Sequence, residues 1–118
     1  MKARILIIDD EPRWIDFAKD DLGMLFEVEV ADNLEIALSK LKKDRYDLII
    51  ASSRQLDVLE VIRKGYPEKR VVVATGQPTT REAIDVYRLG VLDYFPKDFR
   101  DKVVSEKIRE AIKKPVKS

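Results

Sequence analysis

The sequence contains no cysteine and no histidine. Without cysteine, the chain can form neither a disulfide framework nor a thiolate metal site. Without histidine, it cannot carry Ser-His-Asp or Cys-His catalysis, the common kinds of zinc site, or a phosphohistidine. Carboxylates, hydroxyls and lysine are therefore the chemistry available for a functional site.

Neither sign of charge dominates, since 23 lysine and arginine residues face 22 aspartate and glutamate residues. The chain therefore lacks a global basic field that would attract nucleic acid or an anionic membrane, and we expect neither as a partner. It also lacks an apolar run with the length of a signal peptide or a membrane span, which favours a cytoplasmic protein. Its 118 residues, 45% hydrophobic and 38% charged, suit one domain with a single core.

The stretch 4–12 joins a short apolar run to three carboxylates and a proline. The branched residues 5–8 are typical of a strand buried on both faces, as in a parallel sheet covered by helices. Asp9, Asp10 and Glu11 follow at the carboxyl end of this strand, where open α/β sheets bind ligands. Because neighbouring carboxylates repel each other, we expect a divalent cation or a lysine between them.

Strands and helices are predicted to alternate five times along the chain. The predicted strands cover residues 4–8, 26–30, 46–51, 70–74 and 91–95, and the predicted helices begin near residues 12, 34, 56, 80 and 100. With right-handed crossovers, this alternation predicts an α/β fold of the flavodoxin-like, doubly wound kind. We expect a five-stranded parallel sheet in the order 2-1-3-4-5 between two layers of helices, formed by residues 1–118 as a single domain with 113–118 as a frayed tail.

Polar side chains follow the carboxyl ends of several predicted strands. Asp9 and Asp10 follow the first strand, Ser52 the third, Thr75 the fourth and Lys97 the fifth. Parallel strands end at one edge of the sheet, so we expect these residues to lie close together. This edge is the predicted functional site.

Four stretches of the sequence resemble the CheY-like receiver domain of response regulators in two-component (phosphorelay) signal transduction. They are residues 8–12 after the first strand, 46–50 in the third, 73–76 after the fourth, and 89–97 around the fifth. The resemblance covers essentially the whole chain. It depends on the order and spacing of the four stretches together, because each of them is modest alone.

The resemblance implies a phosphorylation site built from the predicted edge residues. In the family, acidic residues at the positions of Asp9 and Asp10 hold Mg²⁺, and an aspartate ending the third strand accepts a phosphoryl group from a kinase phosphohistidine. The resemblance also implies that Thr75 and Lys97 contact the phosphoryl oxygens and that Tyr94 is the aromatic that switches position. Partners would then bind the surface of the fourth helix, fifth strand and fifth helix.

The sequence departs from the family pattern at three places. Five residues after Asp47, where the family has its phosphoacceptor aspartate, it has Ser52 followed by Ser53. The next loop is shorter than in the family and lacks the usual proline and glycine. Finally, Lys97-Asp98 stands where the family usually has Lys-Pro with a cis bond, and because a cis bond without proline costs roughly 3 kcal/mol, we expect a trans bond here.

These departures predict an atypical receiver domain, a pseudo-receiver that lacks the phosphoacceptor aspartate. We expect it to signal through protein contacts without aspartyl phosphorylation, and not to be an enzyme. Its partner would be a histidine kinase, an output protein or another signalling protein, bound at the surface of the fourth helix, fifth strand and fifth helix. Mg²⁺ remains a candidate at Asp9 and Asp10. Because the phosphoacceptor aspartate would have supplied a further carboxylate and is replaced by Ser52, Lys97 is the alternative source of positive charge for the pair.

Two other interpretations stay open on the sequence. In the first, the domain is phosphorylated at a relocated acceptor, either Asp57 or Ser52, although a neutral hydroxyl is a poor nucleophile without a base. In the second, the emptied pocket senses another anion or ligand between Thr75, Lys97 and the turn amides. Phosphorylation and ligand-binding experiments distinguish these interpretations.

Overall fold

The computed structural model describes residues 2–116, and within them five strands alternate with five helices. The strands are β1 (Arg4–Ile8), β2 (Glu27–Ala31), β3 (Leu48–Ser52), β4 (Val71–Thr75) and β5 (Asp93–Pro96). The helices are α1 (Pro12–Gly23), α2 (Leu34–Lys43), α3 (Leu56–Gly65), α4 (Thr80–Arg88) and α5 (Val103–Ala111). The predicted frayed tail is described only as far as residue 116, and its last two residues lie outside the described part.

The five strands form one parallel sheet in the order β2-β1-β3-β4-β5, which confirms the predicted flavodoxin-like topology. The register pairs Ile8 with Ala51 and Ser52 with Ala74. The carboxyl ends of the three central strands therefore lie side by side. This register brings the residues after β1, β3 and β4 to one edge of the sheet.

Alternating side chains of the central strands build two cores, one on each face of the sheet. In β1, Ile5 and Ile7 pack toward α1 and α5, while Leu6 and Ile8 pack toward the other three helices. Trp14 of α1 is fully buried in the first core. The short apolar runs are thus buried on both faces, as predicted, because helices cover both sides of the sheet.

Helix α5 begins at Val103, later than the predicted start near Arg100. Lys102, which precedes it, adopts the left-handed backbone conformation with φ of 69°. A carboxylate from α1 satisfies the helix start, since Asp21 accepts the N–H groups of Lys102 at 2.8 Å and of Ser105 at 3.0 Å. The sequence around α5 contains no sign of this cap, because the capping residue lies on another helix.

The limits of four strands also differ from the prediction. β2 and β4 each begin and end one residue later than predicted. β3 begins at Leu48 rather than at Tyr46 and includes Ser52 as its last residue. β5 begins at Asp93 rather than at Val91, because pairing with β4 starts there. Within residues 2–116, none of the helices has the length and apolar character needed to cross a bilayer.

Candidate functional site at the carboxyl edge of the sheet

Asp9 lies directly after β1, and its carboxylate is engaged on both oxygens. Oδ1 accepts the backbone N–H groups of Asp10 at 2.8 Å and of Glu11 at 3.1 Å. Oδ2 lies 2.9 Å from Nζ of Lys97, which is also 3.6 Å from the Glu11 carboxylate. Because the side chains of Asp9 and Lys97 are only 2% and 3% exposed, this ion pair is shielded from water.

Lys97 also lies near Trp14, with Nζ 5.9 Å from the centroid of the indole ring. A cation at this distance from an aromatic face gains a modest electrostatic attraction. The peptide bond between Lys97 and Asp98 is trans, as predicted. The lysine therefore reaches the Asp9 carboxylate without the cis bond that the family usually has at this point.

Asp10 is paired with a different cation, the guanidinium of Arg54 in the loop between β3 and α3. These two side chains are largely open to solvent, with 58% of Arg54 and 43% of Asp10 exposed. The backbone N–H of Arg54 donates to Oγ of Ser52 at 3.2 Å. We refer to Asp9, Asp10, Glu11, Lys97 and Arg54 together as the acidic cluster.

Arg54 was not among the predicted site residues. The sequence feature that could have indicated it is a single basic residue in the short loop after β3, the strand that pairs with β1 and so places this loop beside Asp9 and Asp10. The sequence alone does not show which of several loop side chains turns toward those carboxylates. The tertiary structure selects the arginine.

Ser52 and Ser53 are both buried, and Ser52 is the last residue of β3. Asp57 lies in the first turn of α3 and is exposed. An acidic residue in a first helical turn is stabilised by the helix dipole, which is a structural reason for Asp57 to be there. The strand end itself therefore carries a hydroxyl, and the candidate Asp57 lies beyond it on the next helix.

Thr75 ends β4, and its hydroxyl is engaged on the side of α4. Oγ1 of Thr75 donates to Oε1 of Glu82 at 2.7 Å and accepts the N–H of Gln77 at 3.2 Å. The hydroxyl of Tyr94 donates to the same Glu82 oxygen and accepts the N–H of Thr79 at 3.2 Å. Burial, and then the hydrogen bond to Glu82, raise the pKa of Tyr94 above its usual value. We call Thr75, Glu82 and Tyr94 the Glu82 network.

Glu82 was likewise absent from the predicted site residues. Thr79 caps α4 by accepting the N–H of Glu82 at 3.0 Å, which is the spacing of a capping box. In a complete capping box, the glutamate would accept the N–H of the capping residue. Here Tyr94 accepts that N–H, and Glu82 binds Thr75 and Tyr94 instead. The local pattern indicates the helix start but not the partner on β5.

The five predicted edge residues therefore divide between two groups. Asp9, Asp10 and Lys97 belong to the acidic cluster, where Ser52 supports the Arg54 loop, while Thr75 belongs to the Glu82 network. The two groups are joined through the backbone, because the N–H of Lys97 donates to the carbonyl of Thr75 at 2.7 Å. Their side chains have separate partners.

The acidic cluster does not fit a resident Mg²⁺. Mg²⁺ requires near-octahedral oxygen ligands. Both oxygens of the Asp9 carboxylate are engaged by N–H groups or by Lys97, and Asp10 is paired with Arg54. In the described part of the chain, no three acidic, histidine or cysteine side chains converge as a metal ion would require.

Comparison with known proteins identifies the family. Residues 5–109 match the response regulator receiver domain. The chain belongs to this family. Receiver domains are signalling modules of two-component systems, and this receiver domain is 34% identical over 114 residues to the transcriptional regulatory protein FlgR of Helicobacter pylori. That alignment covers 89% of this chain but 28% of FlgR, so the receiver domain spans only part of that relative's length.

Solved structures agree with the fold. A response regulator from Thermotoga maritima superimposes on this receiver domain with a TM-score of 0.89 at 22% identity, covering 97% of this chain and 100% of that one. The response regulator TrrA of the same organism, solved in complex with Mg²⁺ and BeF, gives a TM-score of 0.79 at 29% identity. The second match covers 94% of this chain and 99% of TrrA.

Proposed function

We propose that this receiver domain transmits a two-component signal by binding other proteins, without aspartyl phosphorylation and without enzymatic activity of its own. The observation that carries the proposal is Ser52, a buried hydroxyl at the carboxyl end of β3. The family resemblance predicts the phosphoacceptor carboxylate at this position. A serine hydroxyl needs a base to become a nucleophile, and the carboxylates of Asp9 and Asp10 are engaged by Lys97 and Arg54.

The Glu82 network supports the same proposal. In phosphorylated members of the family, the hydroxyl at the position of Thr75 moves toward the phosphate, and the switch aromatic follows it. Here the Glu82 carboxylate already accepts hydrogen bonds from both Thr75 and Tyr94. Because Glu82 holds Thr75 and Tyr94 in place, the surface that a partner would bind keeps one conformation without any phosphate.

We propose that the partner binds the surface formed by α4, β5 and α5. Two large apolar side chains of α4 are solvent-exposed, Ile84 by 45% and Tyr87 by 43%. Exposed apolar and aromatic side chains of this kind are typical of protein interfaces. The partner would be a histidine kinase, an output domain or another signalling protein, and we expect neither nucleic acid nor a membrane to bind there.

The decisive experiment is intact mass spectrometry after incubation with Mg²⁺ and acetyl phosphate. We expect no phosphoryl adduct, while a receiver domain with an aspartate at the end of β3, treated in parallel, is modified. Peptide mapping locates any adduct that does form. A phosphoryl group on Asp57 or Ser52 would overturn the proposal and establish a relocated acceptor.

Calorimetry with phosphate and sulfate tests the anion-sensing alternative. The hydroxyl and the amine that such a pocket would use are engaged, since Thr75 donates to Glu82 and Lys97 is paired with Asp9. We therefore expect no heat of binding at millimolar anion. A saturable signal would favour a ligand-sensing receiver domain instead.

A further inference from the structure

We propose that Arg54 is a tethered cation that replaces the charge of a divalent metal in the acidic cluster, so that this receiver domain is independent of Mg²⁺. The inference concerns metal binding and does not depend on the proposed function. A domain that signals by contacts alone and one that is phosphorylated at a relocated residue could both contain such a cation.

The charges of the acidic cluster require a second cation. Three carboxylates, those of Asp9, Asp10 and Glu11, occupy the three consecutive residues that connect β1 to α1. Lys97 lies within ion-pair distance of Asp9 and Glu11 only. Without Arg54, the cluster would keep two net negative charges, which is the charge that a divalent cation offsets.

Arg54 meets this requirement through its position as well as its charge. Its backbone is held beside the strand end by the hydrogen bond from its N–H to Oγ of Ser52. From there, the side chain reaches back to Asp10, which is 44 residues away in sequence, and joins the loops that follow β3 and β1. Guanidinium groups suit carboxylates because their N–H donors match the carboxylate geometry.

The serine at the end of β3 and the pairing of Arg54 with Asp10 are mutually consistent. An aspartate in place of Ser52 would add a third strand-end carboxylate and favour a metal ion. With serine at this position, the cluster has one negative charge fewer, and the guanidinium of Arg54 is enough to neutralise Asp10. Repulsion between the guanidinium and an entering divalent cation then opposes metal binding.

The test is Mg²⁺ titration of four proteins, followed by the fluorescence of Trp14 and by calorimetry. Trp14 is the only tryptophan of the chain, and its ring lies 5.9 Å from Nζ of Lys97, so it reports on the cluster. The proteins are the wild type, Arg54→Ala, Ser52→Asp, and the double variant Ser52→Asp/Arg54→Ala. We expect no binding to the wild type at millimolar Mg²⁺, and a dissociation constant about tenfold lower for the double variant than for Ser52→Asp.

Arg45→Ala, alone and combined with Ser52→Asp, is the matched control. Arg45 is an exposed arginine that precedes β3, at the opposite edge of the sheet, so its removal changes the net charge equally without touching the cluster. Equal Mg²⁺ affinity of Ser52→Asp with and without Arg54 would overturn the proposal, and so would Mg²⁺ binding by the wild type as tight as by the double variant.

If Ser52→Asp fails to fold, the single variants still test the proposal, because the side chain of Arg54 is about half exposed and its removal leaves no buried charge unpaired. In that case, Arg54→Ala is compared with Arg45→Ala in the wild-type background. A gain in Mg²⁺ affinity confined to Arg54→Ala supports the tethered cation. Identical titrations of the two single variants would overturn it.

Discussion

The acidic cluster and the Glu82 network occupy neighbouring parts of one sheet edge, but they are held together by different forces. The acidic cluster joins full charges, with Lys97 and Arg54 against the carboxylates that follow β1. The Glu82 network joins two neutral hydroxyls to one carboxylate and places each hydroxyl against a backbone N–H as well. The first arrangement balances charge, and the second satisfies hydrogen-bonding groups.

Within the acidic cluster, the Asp9–Lys97 pair and the Asp10–Arg54 pair differ sharply in burial. Asp9 and Lys97 are almost completely withdrawn from water, whereas Asp10 and Arg54 are about half exposed. Removing one partner of a buried pair leaves an uncompensated charge, while an exposed charge is solvated again. Residues with the same formal charge at the same edge should therefore respond very differently to substitution.

The largest expected effect is that of Lys97→Ala. This change leaves the buried Asp9 carboxylate without its cation and should lower the free energy of unfolding by about 3–5 kcal/mol. Urea unfolding at neutral pH measures the loss. The control is the double variant Asp9→Asn/Lys97→Met, which leaves no buried charge unpaired and should recover much of the stability. A loss as small as that of an exposed pair would show that Asp9 is solvated without Lys97.

Glu82→Ala should come next, with a loss of about 1–3 kcal/mol, because it removes the acceptor of two hydroxyl groups. We also expect faster amide exchange at Gln77 and Thr79, whose N–H groups donate to these hydroxyls. Glu60→Ala, at an exposed position of α3, is the control and should change stability by less than about 0.5 kcal/mol. Equal losses of stability in the two variants would show that the Glu82 network does not stabilise α4.

Tyr94→Phe should cost about 1 kcal/mol at neutral pH, since Glu82 keeps Thr75 as a donor. The pKa of Tyr94 is raised in the folded protein, so the stability that its proton contributes is full below about pH 10 and is lost as the pH rises through the folded value. The wild type should thus lose more stability than the variant as the pH rises above about 10. Thermal unfolding across this range measures the difference, and parallel curves would contradict it.

The smallest effect on stability is expected for Arg54→Ala. Because its ion pair is exposed, the loss should be less than about 1 kcal/mol and should shrink further in high salt. Urea unfolding at low and high salt provides the measurement. A loss comparable to that of Lys97→Ala would mean that the Asp10–Arg54 pair contributes as much stability as the buried Asp9–Lys97 pair, despite its exposure.

Much of the fold could be predicted from local patterns. Branched apolar runs indicated strands buried on both faces, and the helical spacing between them indicated the covering layers. Right-handed crossovers then left the observed strand order as the natural arrangement. The placement of Asp9, Ser52 and Thr75 at one edge followed directly, because parallel strands end on the same side of the sheet.

The partners of those edge residues could not be predicted in the same way. Arg54 and Asp10 are 44 residues apart, Glu82 and Tyr94 are 12 apart, and Asp21 and Lys102 are 81 apart. None of these pairs belongs to a repeating pattern, so the sequence does not show which polar group each carboxylate contacts.

The alternation of elements, the order of the strands and the edge at which the polar residues gather could all be deduced from the amino-acid sequence. These features follow from apolar periodicity and chain chirality, which act over short distances along the chain. The folded structure is needed to see that Lys97 binds Asp9, that Arg54 binds Asp10, and that Glu82 joins Thr75 to Tyr94. Such contacts depend on the direction and burial of individual side chains after the helices have packed, and these are properties of the folded chain as a whole.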